Sequence, residues 1–213
     1  MIYLDNGATS YPKPDVVGDA VYDYIKNVGS NINRGGYAKA YSAAGVVLET
    51  REMISKMMNG YGSRYTIFTP GNTYSLNFLI KGLARKGDKI LISEMEHNAV
   101  YRPAYQLEQE GLIEVGYMPC NERGELKLEE ALDMIDESVR AVVMVHASNV
   151  SGTLMPLQEV GQRCHEKNVL FFVDAAQTAG NVPIDMKACH IDGLSLPGHK
   201  SMLGPQGIGA LLL

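Results

Sequence analysis

Between residues 65 and 213 short apolar runs alternate with segments of helical length, and that alternation constrains the fold more than any other feature. Residues 65–69, 89–93, 113–118, 141–145 and 169–174 read as strands, followed by strands near Leu196 and at 209–213. Residues 75–84 carry Leu76, Leu79, Ile80 and Leu83 at helical spacing. Helices are also expected over residues 100–109, 128–135 and 157–167. The run Ala141-Val-Val-Met-Val145 shows no polar alternation, as a strand covered on both faces requires. Repeated strand–helix–strand units predict an α/β fold with a mainly parallel sheet. Ahead of it, residues 15–59 read as an arm followed by a helix over 43–58. This divides the chain into an arm and helix, 1–60, and a main domain, 61–213.

A net charge of −5 supplies no global basic field, so neither nucleic acid nor an anionic membrane is an expected partner. No basic-then-apolar leader opens the chain, and no apolar run approaches the ~20 residues of a membrane span. Cys120, Cys164 and Cys189 are scattered and odd in number, which fits reduced thiols in a cytoplasm better than a disulfide frame or a metal site. The sequence stops on Ala210-Leu-Leu-Leu213, and a bare sheet terminus is an aggregation liability. A truncated chain or a domain fragment is therefore expected.

In open α/β sheets ligands gather beyond the carboxyl ends of the parallel strands. Five polar loops fall there, at residues 69–73, 93–98, 146–149, 174–177 and 197–200. Lys200 sits in a tight loop framed by Gly198, Gly204, Pro205 and Gly207, and Asp174 ends a run too apolar to leave a carboxylate unpaired. A lysine able to form a Schiff base and an aspartate able to face a pyridinium nitrogen are two groups that pyridoxal phosphate needs. Gly71-Asn72-Thr73 leads from strand to helix and suits a phosphate, or else Thr73 is a plain helix cap. His97 suits stacking on a ring or simple solvation. Asn149 could meet a phenolic oxygen or make an Asx turn, Gln177 could reach the same oxygen, and His199 could contact the phosphate. Gly193 to Ser201 imitates a nucleotide-binding loop, but His199 interrupts it and Gly204-Pro205 breaks the helix such a loop must open.

Taken together, these residues resemble the class V aminotransferases of pyridoxal-phosphate fold type I, and within them the cysteine desulfurase and selenocysteine lyase group. The matching stretches are Tyr3-Leu-Asp5-Asn6-Gly-Ala-Thr9-Ser-Tyr-Pro12-Lys13-Pro14, Asn33-Arg34-Gly35, Phe68-Thr-Pro-Gly-Asn-Thr73, Glu96-His97-Asn98 and Ser148-Asn149-Val-Ser-Gly152-Thr153. Asp174-Ala-Ala-Gln177-Thr-Ala-Gly180 and Gly198-His199-Lys200 with Gly204-Pro-Gln-Gly207 complete them in family order. The resemblance implies a seven-stranded, mostly parallel sheet with helices on both faces and a C-terminal antiparallel strand.

It also implies pyridoxal 5′-phosphate as cofactor, with Lys200 as the Schiff-base lysine, Asp174 as the pyridinium partner and His97 as the catalytic ring-stacking residue. By the same resemblance Asn149 and Gln177 bind the ring oxygen, while Thr73, the Asn72 backbone and His199 hold the phosphate. Asn33 and Arg34 would meet the substrate. The implied reaction converts L-cysteine to L-alanine with sulfur transfer in a homodimer, to a sulfur-acceptor protein. An aminotransferase of another amino acid, or a catalytically incomplete cofactor-binding fragment, shares every one of these residues. Family members are nearly twice as long, and the part beyond residue 213 carries the small C-terminal domain, the persulfide cysteine and a carboxylate-gripping arginine. That domain is expected to be absent here.

Overall fold

The protein was analysed as a computed structural model describing residues 2–32 and 35–213. Seven strands form one sheet: β1 (Thr66–Thr69), β2 (Asp88–Ser93), β3 (Ile113–Met118), β4 (Val139–Val145), β5 (Leu170–Asp174), β6 (Gly193–Pro197) and β7 (Gly209–Leu212). Their order across the sheet is β1-β7-β6-β5-β4-β2-β3. β7 runs antiparallel to both β1 and β6, and every other pairing is parallel. The expected α/β architecture, with its antiparallel C-terminal strand, is what the chain adopts.

Among the described residues six α-helices connect or flank the strands: α1 (Asp15–Asp23), α2 (Ala38–Met57), α3 (Asn72–Leu83), α4 (Asn98–Gln109), α5 (Leu128–Asp133) and α6 (Leu157–Lys167). Alternate strand residues divide between two cores, as a period of two demands. Leu91, Val142, Met144, Phe171 and Val173 face α6, which buries Leu157, Val160 and Cys164 on that side. Ile90, Ile92, Ala141, Val143 and Phe172 face α3 and α4, which bury Leu76, Ile80, Val100 and Ala104. Both faces of the sheet are therefore covered, which is why β4 contains no polar alternation.

The elements outside the sheet depart from expectation. α2 begins at Ala38 rather than 43, and α1 is a helix within what reads as an arm. α1 places Val16, Val17, Ala20 and Val21 on one face yet buries no residue, and α2 buries only Ala40, Ala43 and Ser55. α5 stops at Asp133, short of 135. Asn168, in the left-handed conformation at φ 56°, ends α6. Among the described residues no helix is long and apolar enough to cross a membrane, and no cluster of three metal-ligating side chains occurs.

Candidate active site

β1, β2, β4, β5 and β6 all point their carboxyl ends at one rim, and antiparallel β7 brings its amino end there. Chain growth reverses between β2 and β4, the switch point where open sheets bind ligands. A cavity of about 390 Å³ opens on this rim. Its walls include Asn72, Thr73, His97, Asn149, Asp174, Gln177, His199 and Lys200, so the rim-loop residues singled out in the sequence converge on one space. Asn33 and Arg34 lie outside the described residues. The floor is close-packed at Gly209, where a Cβ would lie 2.9 Å from the Gly71 carbonyl carbon and 2.8 Å from the Leu196 oxygen. Any larger residue there would collide with the Gly71 turn, which lines the cavity.

Asp174, 1% exposed, ends β5 at the cavity base. Its Oδ1 accepts from Asn72 Nδ2 at 2.8 Å and from the Ala176 amide at 2.9 Å, whereas Oδ2 is buried without a partner. Burial pushes this carboxyl above the ordinary value, opposed by the Asn72 and Ala176 hydrogen bonds and by the charges of His97 and Lys200. A carboxylate only accepts, so Oδ2 can be satisfied only by an N–H or O–H donor. Across the cavity, Lys200 is half-buried, and burial lowers its pKa against the pull of Asp174. Desolvation, rather than neighbouring positive charge, is what favours its neutral amine.

Helix α3 starts at Asn72, earlier than the apolar periodicity from 75 implies, and Gly71 is its N-cap with no side-chain bond. Thr73 is therefore not the cap. Its hydroxyl and the first-turn amides stand at a helix N-terminus lining the cavity, where an anion is favoured. His199 lies on the same wall, its pKa lowered by burial and then by the charges of Lys200 and Lys13.

The N-terminal arm holds His199 in place. The His199 carbonyl accepts from the Ser10 amide and hydroxyl, both at 3.1 Å, from Thr9 Oγ1 at 3.0 Å and from Lys13 Nζ at 3.0 Å. Thr9 Oγ1 also lies 3.1 Å from His199 Nδ1, which leaves Nε2 for the cavity. Thr9, Ser10 and Lys13 were not among the site residues read from the sequence. The run of residues 3–14 was the one signal available, but nothing local says that it reaches residue 199.

His97 caps α4 through Nδ1, which accepts from the Ala99 amide at 3.0 Å, so its remaining nitrogen is Nε2. Ser148, not Asn149, makes the turn after β4, accepting from the amides of Val150 and Ser151. Asn149 is thereby left on the cavity wall. Gln177 donates to the Gly7 carbonyl at 3.1 Å, tying the arm to the rim a second time.

Glu96 is the other buried acid. Oε1 accepts from Ser93 Oγ at 2.5 Å and from the Val145 amide at 2.7 Å, clipping the loop that carries His97 to the end of β4. Although the residue as a whole is half-buried, Oε2 is enclosed and unpartnered, and burial pushes the carboxyl up to about 8. Folded Glu96 therefore keeps a proton that the unfolded chain loses near 4.5. Its contribution to stability is full below that value and lost as pH rises through about 8. Urea unfolding at pH 5 and pH 8 is expected to show Glu96→Gln losing less stability than the parent across this window. The difference should approach ~1.4 kcal/mol per pH unit. Parallel pH profiles would show that the carboxyl is not held this way.

None of the three cysteines lines the cavity. Cys164 is buried and pushed up to about 12, and burial raises Cys120 and Cys189 as well, so none is an activated thiol. The sequence imitation of a nucleotide-binding loop also fails. Lys200 is followed by a turn, with the Leu203 amide donating to the Lys200 carbonyl at 2.8 Å, and no helix begins there.

A family model described as Aminotransferase class-V matches residues 2–213. A cysteine desulfurase IscS of Clostridium botulinum is 35% identical over 100% of this chain and 53% of its own length. The apo structure of a cysteine desulfurase from Thermococcus onnurineus NA1 superposes with a TM-score of 0.94 at 30% identity, covering 100% of this chain and 53% of that one. A structure described as SspA in complex with cysteine gives 0.93 at 28% identity, covering 100% of this chain and 61% of that one. The chain spans about half the length of the curated relatives it matches.

Proposed function

The chain belongs to the class V aminotransferases, and on that premise we propose that its rim cavity binds pyridoxal 5′-phosphate and processes L-cysteine or a similar amino acid, as cysteine desulfurases do. The observation carrying this reading is the buried, donor-less Oδ2 of Asp174 in the same cavity as a lysine whose burial favours the neutral amine. A pyridinium N–H satisfies that oxygen, so the residues present fit the cofactor.

When bound, pyridoxal phosphate supplies an electron sink for negative charge developing at the amino acid's α-carbon. Asp174 Oδ2 accepts the ring N–H and keeps it protonated. Thr73, the first-turn amides of α3 and His199 would hold the phosphate, and His97 would stack on the ring. Asn149 and Gln177 donate to the ring oxygen. Lys200 Nζ, whose pKa burial lowers, would attach the cofactor and could then move a proton at the substrate α-carbon. By the family resemblance, Asn33 and Arg34 would meet the substrate. Residues 61–213 form the cofactor-binding domain, with 1–60 as its arm and helix.

The overall reaction yields L-alanine with sulfur passing to a thiol, and because no cysteine of this chain lines the cavity, that thiol is not Cys120, Cys164 or Cys189. The same observation favours a second reading, transamination of another amino acid. The exposed aromatic rings of Tyr74 and Phe78 beside the cavity support self-association as a homodimer, which sedimentation equilibrium reads directly. A cytoplasmic location fits the three free thiols.

The test uses the purified chain with pyridoxal phosphate. A visible absorption band abolished by borohydride, and alanine with sulfide released from L-cysteine in the presence of a small thiol, are the expected results. Stable pyridoxamine phosphate with another amino acid would favour transamination, and no visible band at all would overturn the cofactor.

A further inference from the structure

From the sequence, Asn72 enters the site through its backbone alone, yet its side chain reaches a residue 102 positions away, donating from Nδ2 to Asp174 Oδ1 at 2.8 Å. Because a carboxylate only accepts, the amide must face it with nitrogen. The Ala176 amide shares the same oxygen at 2.9 Å. Two donors converging on Oδ1 hold the carboxylate in one rotamer, and Oδ2 is the atom left over, buried and unpartnered. Both residues line the cavity.

We propose that Asn72 is a positioning residue: its side-chain amide anchors one oxygen of Asp174 so that the other is held out to the cofactor's ring nitrogen. This rests on the pyridoxal-phosphate reading above. The α3 N-terminus then serves both ends of the cofactor, with backbone amides toward the phosphate and a side chain behind the ring's partner. The hydrogen bond also favours the ionised form of Asp174 against burial, alongside the charges of Lys200 and His97 and against the acid of Glu96.

Asn72→Leu keeps the branched shape and removes the donor, Asn72→Gln keeps an amide, and Asn72→Asp sets a second acid against the first. In cofactor-free protein with ¹³C-labelled aspartate carboxyls, the Asp174 resonance, assigned by its loss in Asp174→Asn, should titrate at higher pH in the Leu variant. Gln should restore part of the shift, and Asp should raise it furthest. Pyridoxal phosphate should dissociate about tenfold more readily from the Leu variant, the loss typical of one hydrogen bond to a charged group. Should Leu fail to fold, Asn72→Ser, too short to reach, carries the same comparison. An unchanged Asp174 titration with unchanged cofactor affinity in these variants overturns the role of Asn72 alone. Failure of the parent protein itself to take up pyridoxal phosphate instead removes the cofactor reading, and the ring-nitrogen role falls with it.

Discussion

Lys200→Ala is expected to retain pyridoxal phosphate only by non-covalent contacts and to lose turnover by roughly 10⁴-fold or more. General acid–base transfer alone is worth about 10²–10⁴-fold, and the amine is here given the attachment of the cofactor as well. After borohydride treatment and denaturation, the parent should keep the cofactor's mass on the peptide containing Lys200, whereas the variant should release it. A variant that still carried the cofactor covalently would place the chemistry on a different lysine.

Asp174→Asn is expected to separate stability from function. Its replacement amide can accept from Asn72 and Ala176 with its oxygen, which turns its NH₂ toward the position of Oδ2. Burial raises the native carboxyl's pKa, so its contribution to folding is lost as pH rises through the folded value, and neutral Asn escapes that loss. The cofactor-free variant should therefore be more stable than the parent at pH 8, by urea denaturation. With the cofactor the order reverses in activity, because a donor now faces the ring nitrogen and cannot keep it protonated. Breaking a buried charge pair costs about 3–5 kcal/mol, so kcat/KM should fall by roughly 10²–10³-fold or more. Equal activity in the two proteins would show that Asp174 does not face the ring.

Much of this site was legible because its residues sit at strand ends, and strand ends are marked locally where apolar runs break. Asp174 after Phe171-Phe-Val173, Glu96-His97 after β2 and Lys200 after β6 all carry that signature. α1 was not read because its apolar face, Val16, Val17, Ala20 and Val21, runs over little more than two turns and buries no residue against the sheet. Thr73 and Asn149 each allowed a local role as a cap or turn former. Gly71 and Ser148 fill those roles in the fold, which was decided by backbone geometry rather than by residue type.

From its sequence alone the chain declared an α/β sheet and the rim loops that carry its chemistry, because side-chain periodicity and turn residues act over a few positions. Which oxygen of Asp174 stays free, how the arm grips the His199 carbonyl and why the Lys200 pKa is lowered were settled only in three dimensions. Each depends on hydrogen bonds between residues far apart in the chain or on removal of water from a cavity. Neither exists until the strands have come together.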